Sequence, residues 1–211
     1  LVLNGLEQAP HFGILYQDTK PLLKGEDGYN YLYRINCGGD DFTDSFGQLW
    51  MQDNTNYSRS WATSFNELNP YLASQRTTSD PIRGSRDWKL FQHFRFGRHQ
   101  LEYNFPVADG MYRIEFYFTE PWHGTGGSAS ADCEGLRIFD VAVNDSVVLD
   151  DLDIWAESGH DGACKKVVYA IVKGGLLKIH FPEVKAGQAL ISGIAIASAN
   201  SDSKPTLFPA S

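Results

Sequence analysis

Long apolar runs are missing from this sequence: none of its 211 residues fall in a stretch near the ~20 apolar residues of a membrane helix. No N-terminal signal pattern is present either, and membrane insertion is not expected. Positive charge is scarce, with 18 Lys and Arg against 26 Asp and Glu and a net charge of −8. Such a surface repels polyanions, which excludes nucleic acid and anionic membranes as expected partners. Cysteine is scarce too. Cys37, Cys133 and Cys164 are an odd set, so at most one internal disulfide forms, and spacing does not choose its pair. Three buried thiols are an equally good reading, and the lack of any C-x-x-C speaks against structural zinc.

Signatures of catalysis are absent as well. There is no G-x-S-x-G, and the six histidines show no H-E-x-x-H or H-x-H spacing. Acids such as Asp150, Asp151, Asp153 and Glu157 are plentiful, but nothing marks two of them as a pair across a cleft. Gly124-Thr-Gly-Gly127 follows a strand without opening a helix, which removes the phosphate-cradle reading. A catalytic role is not expected. The chain begins at Leu1 and not at Met, which suggests a cut-out module or a processed product.

What is present is aromatic and β-forming. Aromatics make up 13% of the residues, five of them Trp, within an ordinary globular 42% hydrophobic content. Met111 to Thr119 alternates, with Ile114, Phe116 and Phe118 on one face and Arg113, Glu115 and Tyr117 on the other, as a half-buried strand does. Leu101 to Pro106, the turn Ala108-Asp-Gly and that strand read as a hairpin; Lys166 to Val172, Lys173-Gly-Gly and Leu176 to Phe181 read as another. Leu136 to Val143 places Phe139, Val141 and Val143 on one face before the turn Asn144-Asp145, and Val147 to Leu149 follows. Leu190 to Ala197 is a small, apolar run suited to a buried central strand. No window sustains helical periodicity over three turns, though Trp61 to Leu72 suits a short helix. The spacing predicts an all-β fold, an antiparallel β-sandwich in one domain. Residues 1–30 read as a lead-in that packs on the domain, 31–198 as the sandwich, and 199–211 as a tail.

Two loops carry clustered aspartates, Asp40, Asp41 and Asp44 in one and Asp150, Asp151 and Asp153 in the other. Hard oxygen ligands suit Ca²⁺, yet neither loop matches an EF-hand spacing, and Asp in turns also bonds its own backbone. No cofactor is expected beyond that Ca²⁺ option. The loop from Glu120-Pro-Trp-His to Cys133 is more pointed. It sets Trp122 beside His123 at the end of a strand, flanked by Pro121 and Gly124, with no strand pattern to bury it. An aromatic face stacks on the C–H face of a sugar while polar neighbours bond its hydroxyls. Trp61, Trp88, Phe96 and Trp122 are the candidates for such a platform; Trp50 and Trp155 sit among apolar neighbours and read as core.

Several strings then carry a resemblance. Tyr33-Arg-Ile-Asn-Cys-Gly-Gly39, Phe42-Thr-Asp44, Gly47-Gln-Leu-Trp50, Phe139-Asp-Val-Ala-Val-Asn144, Leu152-Asp-Ile154 and Ile191-Ser-Gly-Ile194 resemble, in order, malectin and malectin-like domains over about Tyr31 to Ala197. Ala73-Ser-Gln-Arg, Asp80-Pro-Ile, Asp87-Trp-Lys-Leu-Phe-Gln92 and Glu120-Pro-Trp-His-Gly-Thr-Gly-Gly are similar to modules of carbohydrate-binding family 57, C-terminal to bacterial family 2 glycoside hydrolases of β-galactosidase or β-glucuronidase type. The resemblance implies a lectin-like sandwich, a glycan and a parent glycosidase catalytic domain as partners, and export to the periplasm or cell surface. It also implies a non-catalytic carbohydrate-binding module for a neutral or uronic-acid-containing glycan. The alternative is a structural domain that packs on or oligomerises the parent enzyme. Malectin holds a glucose disaccharide with loop aromatics and an aspartate. By the resemblance, Trp122 and His123 stand at two of its ring positions, Phe96 at a tyrosine, Trp61 or Phe65 near another tyrosine, and Ala186 at the aspartate. Asn36, Asp140 and Asp153 belong to the same pattern and read as structural.

Overall fold

The computed structural model describes residues 20–53, 74–98, 101–124 and 132–200. Among these residues, fourteen strands and two short helices run β1 Tyr29–Asn36, β2 Phe42–Thr43, β3 Leu49–Gln52, β4 Ser74–Thr77, α1 Trp88–Gln92, β5 His93–Gly97, β6 Glu102–Pro106 and β7 Gly110–Phe118. They continue with β8 Ile138–Val143, β9 Ser146–Leu152, α2 Ile154–Ser158, β10 Cys164–Val172, β11 Leu176–His180, β12 Val184–Ala186, β13 Ala189–Ile191 and β14 Gly193–Ala199. One sheet orders β10-β7-β14-β1-β3-β2, a second β12-β8-β11-β6 with β9 on β8, and a small third β13-β5-β4. The strand pairs are antiparallel except β1–β3. The all-β sandwich expected from the spacing is the fold observed.

Period-two alternation explains where the core sits. Ile35, Ile114, Phe116, Phe118, Ile194 and Ile196 leave one face of the first sheet and meet Tyr103, Phe105, Phe139, Val141, Leu177 and Ile179 of the second. Each such buried side chain contributes roughly 1.5–3 kcal/mol of transfer free energy. The odd-parity residues of the first sheet are buried as well. Tyr117 and Ala195 pack with Trp50, Leu23, Ile82, Leu90 and Phe91, the last two from α1. Consequently β7 is not half-buried: a helix and the segment around Leu23 cover the face that Met111–Thr119 was expected to show to solvent.

Charge on that second face is neutralised locally. Glu115 accepts from Tyr31 Oη at 2.7 Å and Arg113 Nε at 2.9 Å on one oxygen, and Lys165 Nζ pairs with the other at 2.8 Å. Lys165 Nζ also donates to Leu22 O at 2.8 Å, which ties the residues before β1 to the sheet.

Both expected hairpins are corrected. β6 pairs with β11, while β7 pairs with β10 and β14; neither β6–β7 nor β10–β11 is a ladder. The two turns are arches that carry the chain from one sheet to the other, and they lie side by side. Val107 N donates to Gly175 O at 3.1 Å, and Gly175 N donates to Asp109 Oδ1 at 2.9 Å. Pairing then forms between matching legs of the two arches. The apolar run Leu190–Ala197 is divided at Ser192 into β13 and β14, and only β14 is the central strand of the large sheet. The suggested helix over 61–72 lies outside the described residues.

The cysteines are free, and all three are buried. Asn36, Asp140 and Asp153 do backbone work: Asn36 Nδ2 donates to Asp40 O, Asp140 Oδ1 accepts from Asp151 N, and Asp153 caps α2 through Ala156 N.

Candidate functional site

A cleft of about 580 Å³ opens between the third sheet and the loop that follows β7. Its size lies within the range of small-ligand pockets. The floor comes from the sheet. Arg76 of β4 stands opposite Phe94 of β5, and Leu190 of β13 stands opposite Phe96. Directly opposed residues share a face, so Arg76, Phe94, Phe96 and Leu190 line the same side. Phe94 and Phe96 tilt against each other with ring centroids 6.3 Å apart. The facing wall is Pro121, Trp122 and His123, and Arg137 with Gly187 and Gln188 closes the end.

A buried carboxylate holds that wall. The side-chain face of Ile114, Phe116 and Phe118 continues by parity to Glu120, whose side chain is fully buried. Glu120 Oε1 accepts the backbone N–H groups of Trp122 and His123, each at 3.0 Å, and Arg137 donates Nε to Oε2. Burial alone would raise the Glu120 carboxyl; the Arg137 guanidinium and the two amides outweigh it and hold the group below the ordinary glutamate value. The Glu120 main chain is fixed as well, since its carbonyl accepts Asp161 N at 2.9 Å. Trp122 therefore projects 72% exposed from an anchored base. An exposed Trp on a preorganised backbone keeps the ordering cost of binding low.

Gly187 has φ +64°, and a Cβ there would lie 2.8 Å from Leu136 O, so the end wall requires glycine at this position. Arg98 Nη1 donates to Gly187 O at 3.0 Å, and Arg137 Nη1 donates to Gln188 O at 2.6 Å. The cleft end is pinned from both sides.

Of the sequence-derived site residues, Phe96, Trp122 and His123 come together around this one cleft. Trp61 lies outside the described residues, as does Phe65. Trp88 is elsewhere: it packs against the second core and donates Nε1 to Ser85 O at 2.9 Å. Trp50 is core, its Nε1 donating to Asp44 Oδ2 at 2.9 Å, and Trp155 is half-buried. Ala186 forms the end of β12 next to Gly187 and brings no polar side chain. Sequence reading missed Arg76, Phe94, Arg137 and Gln188. Parity held one usable signal: Arg137 shares the face of Phe139 and Val141, and an inward arginine demands a buried acid such as Glu120.

The aspartate loops resolve differently. Asp44 is consumed by its own turn, accepting Phe46 N and Gln48 N, each at 2.9 Å, together with the Trp50 indole. Asp41 accepts Gln52 N. Asp140, Asp150 and Asp151 do gather their carboxylates, but Asp151 is paired with Lys185. Asp153 is occupied as the cap of α2.

A two-layered β fold with an aromatic cleft beside one anchored loop is a lectin-like β-sandwich. The sequence model of the Malectin domain matches residues 31–200, and the chain belongs to that family, whose domain is a non-catalytic carbohydrate-binding fold. Malectin from Danio rerio is 26% identical over 150 residues, which is 71% of this chain and 47% of that protein. Malectin from Mus musculus is 26% identical over 149 residues, 70% of this chain and 45% of that protein. The chain thus spans about half the length of the curated relatives it matches. Among solved structures, a Bacteroides uniformis β-glucuronidase superposes with TM-score 0.64 at 23% identity, over 78% of this chain and 18% of that enzyme. The ANX2 ectodomain of Arabidopsis thaliana gives TM-score 0.62 at 16% identity, over 82% of this chain and 51% of that one. These two likenesses concern the fold. Among the described residues no helix is long and apolar enough to cross a membrane.

Proposed function

We propose that this chain is a non-catalytic carbohydrate-binding module of a glycoside hydrolase, holding a glycan in the cleft between Phe96 and the Trp122–His123 loop. The observation that carries the reading is Trp122 itself, 72% exposed while its backbone is bonded to a buried carboxylate. Its ring offers a stacking face, Phe94 and Phe96 face it across the cleft, and His123, Thr77 and Thr78 bring polar groups for hydroxyls. Tethered to a catalytic domain, even a weak module raises the local concentration of substrate. On this reading the module works outside the cytoplasm, in the periplasm or at the cell surface, and Trp61 is a further stacking residue.

The test is a fluorescence titration of the chain against plant, algal and host glycans, with Trp122→Ala alongside. A spectral change at micromolar to millimolar glycan, about −8 to −4 kcal/mol, that disappears in the folded variant supports the reading. Silence across the panel overturns it.

A second reading has one observation in its favour. Val167, Tyr169 and Ile171 project in a row from β10, which among the described residues has β7 as its sole strand partner, and are 37%, 38% and 69% exposed. A domain that packs on or oligomerises its parent glycosidase would cover such a strip. Deletion of the module would then alter assembly of the parent enzyme with no change in glycan retention.

A further inference from the structure

Charge distinguishes the cleft from the rest of the surface. The whole chain carries −8, yet the described lining residues hold two guanidinium groups and one imidazole and no carboxylate. The two arginines differ. Arg137 is buried, and Glu120 neutralises it with both oxygens. Arg76 is exposed at the cleft floor, and among the described residues no carboxylate pairs with it. Because Arg76 faces the same side as Phe94, its guanidinium belongs to the aromatic surface and not to the outer face of β4. The amide of Gln188 adds two further N–H groups, whereas the Thr77 and Thr78 hydroxyls are bonded to His93 and Asp80.

A neutral sugar presents hydroxyls that must both donate and accept. A lining with excess donors, one uncompensated cation and no carboxylate fits a ligand with surplus acceptors. Guanidinium suits a carboxylate or sulfate through paired N–H groups. We propose that the cleft selects an acidic glycan: the sugar ring stacks on Trp122 while its anionic group, a uronate carboxylate or a sulfate ester, is received by Arg76. This inference rests on the carbohydrate reading above and narrows it to one chemical class.

The experiment uses matched pairs on the full chain by titration calorimetry. Oligogalacturonides and glucuronate-bearing oligosaccharides are compared with their carboxyl-reduced counterparts, and sulfated galactan oligosaccharides with their desulfated forms. The acidic member of at least one pair is expected to bind about tenfold or more tightly, ~1.4 kcal/mol, with affinity falling as salt rises. Which pair responds separates carboxylate from sulfate. In Arg76→Gln the ratio of acidic to neutral affinity is expected to fall towards one while the unfolding midpoint stays at the wild-type value; Arg76→Lys restores part of the ratio. Neutral members that bind as tightly as acidic ones, still dependent on Trp122, overturn the inference and leave the carbohydrate reading intact. No binding by any member overturns both.

Discussion

Glu120 and Arg137 meet beneath the cleft, the acid two residues past β7 and the arginine one residue before β8. With side chains 0% and 8% exposed, they form a buried pair that also bonds the Trp122 and His123 amides. Removing one partner leaves the other charged and uncompensated, so Glu120→Gln is expected to destabilise the domain by about 3 kcal/mol or more. Urea denaturation followed by far-UV circular dichroism measures it. A loss under about 0.5 kcal/mol would remove the pair from any structural role.

Acid should act through the same kind of group. Glu115 and Glu120 are both buried, and burial by itself raises them, but Lys165 in the first case and Arg137 in the second leave each below its usual value. A carboxyl lowered in the folded state releases its proton more readily there than in the unfolded chain. Its contribution is therefore complete above the unfolded value, near pH 4.5, and is lost as pH falls through the lower folded value. Stability against urea is expected to hold above pH 5 and to fall steeply below 4.5. In Glu115→Gln that acid slope should become shallower; an unchanged slope would assign acid sensitivity elsewhere.

The thiols give a prediction with a count. Cys37, Cys133 and Cys164 are buried and free. Burial pushes Cys164 up to about 11 and Cys37 well above its ordinary value. The native protein should resist a disulfide-exchange reagent at pH 8, and all three thiols should react in denaturant. Fewer than three under non-reducing denaturation would reveal a bridge.

Two glycines separate strain from collision. Gly187 and Gly135 both have positive φ, +64° and +82°, yet a Cβ at Gly187 meets Leu136 O at 2.8 Å and one at Gly135 meets nothing within 4 Å. Gly135→Ala should cost about 1 kcal/mol, the left-handed penalty alone. Gly187→Ala should cost more and also weaken glycan binding, because Leu136 precedes Arg137 in the cleft wall. Equal costs would argue that the end wall yields freely.

Alternation made much of this fold readable. The inward faces of β7, β8 and β11 follow from period two, and the exposed Trp122 follows from its Pro and Gly neighbours. Pairing partners were not readable in the same way. A turn such as Ala108-Asp-Gly serves an arch as well as a hairpin, and only the match between Val107 and Gly175 decides. The cover over Tyr117 was hidden for a related reason: Leu90 and Phe91 sit on a five-residue helix, too short to show periodicity. In the cleft, the loop aromatics announced themselves, whereas Arg76 and Phe94 depend on strand register between β4 and β5, which residue type does not encode.

The position of β14 bears on how the chain acquires this structure. Its residues 193–199 lie between β1, at residues 29–36, and β7. Until they are available, those two strands have no common neighbour, and the large sheet exists only as separate halves. Such distant pairing makes closure slow and late. During synthesis the earlier strands must wait with apolar faces uncovered. A fragment stopped before Gly193 would stay a candidate for chaperone binding however much of its core sequence it contained.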